Sequence, residues 1–331
     1  VIALGGTYLR IVGISTVFVN LTQAYSSALR STGEARSPMY GSLIGVLSNA
    51  FLNWVFIFGN LGAKPLGVMG AAIATTIARV IELIYVLYMV YGKKNIVAAK
   101  FKELFSFDME YVKNYFKVST SAILNELVWS LGMTAFSVAY AFIGTNAFAT
   151  MEIATTLNKM FMVICIGLCD ASAIMVGNKI GADEEEVARD YSKKIAIIAP
   201  VIGTMIGIIV FTLAPLIVRP FDVTQETFNS TITVLRVMAM FCPIRSFTVV
   251  MIIGVFRGGG DTLFTTILQS CTIWLFAVPL AFFGAIVLKL QVHEVFFLIC
   301  LEEVVKIFFV IGRMNSGKWL RNVVEEISVA A

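Results

Sequence analysis

Apolar residues run along this chain in long blocks broken by short polar connections. Nine blocks are long enough to cross a bilayer, which takes about 20 residues in a helix. They cover 8–29, 37–59, 67–92, 117–143, 148–177, 193–218, 230–256, 262–285 and 292–313. The dense period-two alternation of a membrane β-barrel is absent. The longest connection, 93–116, is basic, yet carries Phe101, Leu104, Phe105 and Phe107. It reads as an amphipathic linker lying on a membrane surface. The pattern therefore predicts an all-α, polytopic transmembrane bundle in two lobes. Residues 1–92 supply three helices of the first lobe, 93–116 the linker, 117–313 six helices of the second, and 314–331 a tail.

One short pattern occurs twice between apolar blocks. Leu29-Arg30-Ser31-Thr32-Gly33-Glu34 and Phe256-Arg257-Gly258-Gly259-Gly260-Asp261 each read apolar, Arg, two small residues, Gly, acid. Leu9-Arg10 and Leu235-Arg236 open the blocks before them, at nearly the same offset (226 against 227 residues). A repeat of this length and common orientation predicts two related halves with a pseudo-twofold along the membrane normal. Gly33 and Gly260 are expected in the left-handed conformation that ends a helix. Arg30 with Glu34, and Arg257 with Asp261, are expected to pair beside their turns. The second turn follows four helices after the linker, the first only one. Equivalence of the halves predicts three further helices ahead of residue 1.

Composition sharpens this picture. The chain is 58% hydrophobic and only 14% charged, against about 25% charged in soluble domains. Sixteen Lys or Arg fall in connections predicted on one side of the membrane, and three on the other. That bias places both Arg-Gly-acid turns, the linker and the C-terminus in the cytoplasm, in a multi-pass protein of the cell (inner) membrane. No basic stripe with interleaved aromatics supports nucleic-acid binding. The five cysteines all lie in apolar blocks. Cys165 and Cys169 share a helix face and read as packing residues rather than metal ligands. A single histidine argues against most metal-dependent enzymes, and no nucleotide-binding motif is present. Gly258-Gly259-Gly260-Asp261 has neither the strand nor the Gly-Lys-Ser/Thr of a phosphate loop.

Charges at membrane depth are functional candidates by default. Glu126 is the foremost. Trp129, Met133, Phe136 and Tyr140 follow it at helical spacing and read as an aromatic and Met wall suited to flat organic cations. Arg245 lies near mid-depth after Pro243, either as a partner for Glu126 or as a contact for an anionic group. Glu302 or Glu303 with Lys306, and Arg79 with Glu82, read as local helical pairs. Lys159 and Asp170 also lie at depth. The run Gly67 to Thr75 reads as a close helix-packing face.

Taken together, several stretches resemble the multidrug and toxic compound extrusion (MATE) family. They are Ala28 to Met39, Asn53 and Gly59, Pro65 to Thr75, Asn125-Glu126, Val176 to Ala182, Phe256 to Thr262, Trp274 with Pro279, and Ser316 to Asn322. Their order and spacing span the whole chain. The resemblance implies a secondary active exporter of amphipathic cations, with H+ or Na+ as coupling ion and no other cofactor. It also implies that Glu126 binds the coupling cation, and that the family's first three helices precede residue 1. The sodium-coupled branch has a second acid eleven residues before the motif Arg. Ser246 stands there instead, beside Arg245. Membrane lipids and small-molecule substrates are the expected partners of a monomeric protein. The alternatives are a flippase for lipid-linked precursors or polysaccharides in the wider superfamily, and a truncated transporter without activity.

Overall fold

The structure, a computed structural model, describes residues 2–100 and 108–321. Nine helices form among them: α1 (Ile2–Ser31), α2 (Arg36–Phe58), α3 (Val68–Gly92), α4 (Met109–Ile143), α5 (Thr145–Gly181), α6 (Glu185–Val218), α7 (Gln225–Phe256), α8 (Thr262–Val287) and α9 (Val292–Ser316). Each predicted apolar block is one helix. Seven of the nine, α2 to α8, contain stretches long and apolar enough to cross a membrane. α9 carries Glu302, Glu303 and Lys306 in its middle. The backbone loosens into π-helical turns at Tyr88–Gly92, Val250–Phe256, Thr272–Ala277 and Phe283–Val287. The chain divides into two compact units, Val1–Asp108 and Met109–Ala331.

In the first unit α3 packs on both α1 and α2. Small residues make this possible, as the Gly67 to Thr75 run predicts. A Cβ on Gly70 would stand 2.4 Å from the Phe56 carbonyl oxygen, and Ala72 and Ala74 are fully buried. Asn53 Nδ2 donates to Asn49 Oδ1 (3.0 Å), and Asn49 Nδ2 to Thr75 Oγ1 (3.2 Å). Arg79 and Glu82 pair at 2.7 Å as their spacing suggests.

In the second unit the closest helix pair is α6 with α7. A Cβ on Gly203 would lie 2.7 Å from the Cys242 carbonyl oxygen, and one on Gly207 2.6 Å from that of Ala239. Glycine lets the two backbones touch, which is how helices associate where lipid removes the hydrophobic drive. Large apolar side chains such as Met160, Ile197, Leu275 and Phe308 point outward. That inside-out distribution suits a lipid surround.

The element ends differ from expectation. α5 and α6 run well past their apolar blocks and leave only 182–184 between them, where the blocks left 178–192 as a connection. The charged ends are helical because their charges are placed to suit a helix. Glu185 and Glu186 sit in the first turn of α6, and Asp190 pairs with Lys194 at 2.6 Å. α4 likewise starts at Met109, so the last third of the predicted linker is helix. Phe101, Leu104, Phe105 and Phe107 lie outside the described residues, as do 322–331 of the tail.

Candidate functional site

The two repeated turns have the same backbone geometry. Glu34 N–H donates to Leu29 O (2.9 Å) and Gly33 N–H to Arg30 O (3.0 Å); Asp261 N–H donates to Phe256 O (2.9 Å) and Gly260 N–H to Arg257 O (3.1 Å). These are the two bonds of a Schellman helix end. The glycines take φ values of 87° and 86°, as predicted. Leu29 and Phe256, which begin the two patterns, are fully buried.

The acids of the turns pair differently from expectation. Glu34 is held by Ser37 and Asn95, not by Arg30. Asp261, 1% exposed, accepts from Arg313 Nε at 2.6 Å, not from Arg257. A carboxylate two to four residues past a helix end turns away from that helix, toward whatever packs on the turn. In the first unit that is Asn95, just after the next-but-one helix, and in the second Arg313, in the last turn of the next-but-one helix. In the second unit Trp319, within the predicted tail, is fully buried. Its ring contacts Phe256 (6.1 Å between centroids), and Arg321 N–H donates to Gly259 O at 2.9 Å. The start of the tail is therefore part of the fold.

Freed from Asp261, Arg257 reaches Glu126. Both its terminal nitrogens lie 3.4 Å from Glu126 Oε1, and one also lies 3.4 Å from Gln269 Oε1. These distances exceed the ordinary 2.7–3.2 Å of such bonds. The Glu126 side chain is 62% exposed and that of Arg257 21%. The result is a loose pair whose carboxylate stays accessible. Arg245 does not meet Glu126. It lies instead within electrostatic range of Tyr140, Cys242, Cys300 and Lys306. Trp274, on a π-helical turn of α8, donates to Val128 O at 3.1 Å and fixes α8 against α4 two residues after Glu126.

The aromatic wall is split. Trp129 and Met133 stand open beside Glu126, whereas Phe136 and Tyr140 are buried in the apolar core. Ser246 is fully buried and donates to Ala199 O at 2.8 Å, with Cys165 Sγ 3.2 Å away. It joins α7 to α6 and faces no opening. Lys159 and Asp170 point outward. The open set that the structure brings together is thus Glu126, Trp129, Met133, Arg257 and Gln269. Gln269 had no signal in the sequence, because its role depends on a guanidinium twelve residues away.

A second polar group lies inside the unit. Lys306 Nζ is 2.5 Å from Glu302 and 3.6 Å from Glu303. Glu302 accepts from Thr272 Oγ1 of α8 at 2.9 Å, and Glu303 from Thr248 Oγ1 of α7 at 2.6 Å. The expected helical pair is present, but tied to two further helices.

Comparison with known proteins places the chain in a family. The uncharacterized transporter YisQ of Bacillus subtilis (strain 168) is 23% identical over 95% of this chain and 69% of its own length. The probable multidrug resistance protein NorM of Thermotoga maritima is 23% identical over 83% of this chain and 59% of its own. The chain thus spans roughly three fifths to seven tenths of these relatives. Among solved structures, a transporter of the MOP superfamily from Pyrococcus furiosus, described as having a binding pocket of reverse polarity, superposes with a TM-score of 0.84 at 21% identity, over 94% of this chain and 70% of that one. A MATE crystallised in complex with MaL6 gives 0.82 at 21% identity, over the same shares. With the MatE family model matching residues 1–55 and 121–283, more than half of the sequence, the chain belongs to the MatE family of multidrug and toxic compound extrusion transporters.

Proposed function

We propose that the protein is a cation-coupled exporter of amphipathic organic cations, working by alternating access with H+ or Na+ entering as substrate leaves. The observation that carries this reading is the loose Glu126–Arg257 pair. An acid on a membrane helix is costly and is retained where it serves a site. Here it is neither buried nor firmly neutralised. A small cation or an organic cation can take the place of Arg257 at the carboxylate, and the two would exclude each other. Trp129 and Met133 beside it supply a flat, polarizable surface for a ring-bearing cargo. The names of the relatives, multidrug resistance proteins among them, support the cargo class. The strong charge bias supports a cell-membrane location with a cytoplasmic C-terminus, and nothing in the mechanism requires more than one copy.

The test is ethidium efflux from energised cells that lack their own pumps. The chain is expected to lower ethidium retention, and Glu126→Gln to abolish that effect while still inserting. Equal retention with and without the inserted chain contradicts the reading, as does full efflux by Glu126→Gln.

A second reading, transport of a lipid-linked anion, is favoured by Arg245. This half-buried guanidinium has no carboxylate within ion-pair distance among the described residues. Competition of efflux by a polyprenyl diphosphate, lost in Arg245→Ala, would support it.

A further inference from the structure

Glu302, Glu303 and Lys306 sit near the middle of α9, about 15–20 Å along a helix rising 1.5 Å per residue. Their side chains are 7%, 15% and 8% exposed. Two carboxylates share one ammonium, so the triad carries one unbalanced negative charge when all three ionise. Arg245 is the other cation in electrostatic range, through Lys306 and Cys300. Among the described residues, the remaining titratable groups about this cluster are Cys300 on α9 itself, Cys242 on α7 and Tyr140 on α4. From α5, Cys165 is turned to Ser246 instead.

The hydroxyls that hold the two acids each have a second acceptor. Thr248 Oγ1 lies 2.6 Å from Glu303 Oε2 and 3.1 Å from the Arg245 carbonyl oxygen. Thr272 Oγ1 lies 2.9 Å from Glu302 Oε1 and 3.3 Å from the Gln269 carbonyl oxygen. A threonine hydroxyl has one hydrogen and two lone pairs. It cannot donate to both acceptors at once. With Glu303 ionised, Thr248 donates to the carboxylate. With Glu303 protonated, the new O–H donates to Thr248, whose own hydrogen turns to the Arg245 carbonyl. Both protonation states are fully hydrogen-bonded in one geometry, which a purely structural ion pair does not need.

The two acids are not equivalent. Glu302 is the more buried and has Lys306 at 2.5 Å. Glu303 is the more open, and its ammonium is 3.6 Å away. Thr272 opens one π-helical turn, and Thr248 lies two residues before another. Such turns are frequent at functional sites.

Resting on the transporter reading above, we propose that Glu303 is a proton-carrying residue, with Lys306 as its exchangeable counter-ion and Thr248 as the hydroxyl that turns over with each protonation. A proton taken from water on one side converts the carboxylate to the acid. Lys306 then pairs with Glu302 alone, and the charge of the cluster rises by one. The same proton leaves to water on the other side, and the pairing is restored. A cluster that loses its net negative charge holds an organic cation in the same unit less well, which is the sense required of an antiporter.

The experiment is infrared difference spectroscopy of the purified 331-residue chain as pH is stepped across the range in which it stays folded, judged by gel filtration. A titrating carboxylic-acid C=O band is expected in the parent and missing from Glu303→Gln. Coincident difference spectra would show that Glu303 stays ionised in a structural pair and would overturn the proposal. Should Glu303→Gln not fold, Thr248→Val retains every charge and removes the hydroxyl. It is expected to shift the frequency of the band, and an unshifted band overturns the relay. The readout does not depend on cargo. Absent ethidium efflux with a titrating Glu303 sinks the export reading alone; efflux with a silent Glu303 sinks this one alone.

Discussion

Single residues fix the two repeated turns. Gly33 has open space where a Cβ would go, yet its φ is 87°. Its requirement is conformational, and Gly33→Ala is expected to cost about 1 kcal/mol. Gly260→Ala should cost a similar amount. Gly259 is held by packing, since its Cβ would stand 2.6 Å from the Trp319 ring. Trp319→Ala is expected to cost about 3–5 kcal/mol, the range for emptying a buried aromatic site. Thermal melts followed by gel filtration would rank these variants, and a Trp319→Ala melt equal to the parent would contradict the folded-back tail. The glycine geometry was legible in the sequence because a helix end imposes it locally. The partners of the acids were not. Asn95 and Arg313 come from 61 and 52 residues away, and only packing brings them there.

At the scale of elements, apolar block length predicted each helix, because crossing lipid demands a continuous apolar run. It misplaced the ends of α4, α5 and α6, because a helix can continue into water on charge pairing alone. The π-helical turns also escaped the sequence. They lie at the end of α3 and within α7 and α8, and no residue type marks them. The α6–α7 contact gives a clean prediction. Gly203→Ala is expected to lower stability by about 1–3 kcal/mol, the cost of overpacking. Gly167→Ala, on α5 with nothing within 4 Å of the added atom, should be neutral or stabilising by up to about 1 kcal/mol through helix propensity. Equal melts for the two variants would contradict the close crossing.

At the scale of the whole molecule, charge and cargo are the quantities to test. The distribution of Lys and Arg predicts that Lys289 and Lys318 lie on opposite sides of the membrane. In a version without its native cysteines, a membrane-impermeant maleimide added to intact cells should label Lys289→Cys and spare Lys318→Cys; the reverse would invert the topology. Glu126 was singled out by its place in an apolar block, but its pairing with Arg257 was not, since local reading assigned Arg257 to Asp261. The buried triad on α9 was legible only as a helical pair. Its ties to Thr248 and Thr272 join three helices, and no local pattern encodes them.

The central claim is that cation movement through this protein drives movement of an organic cation, with Glu126 as the shared carboxylate. Its most direct test is ethidium transport in proteoliposomes containing only this chain, under an imposed H+ or Na+ gradient. Transport should follow the direction and size of one of those gradients and vanish in Glu126→Gln. Transport that ignores both gradients, or that persists unchanged in Glu126→Gln, would contradict it.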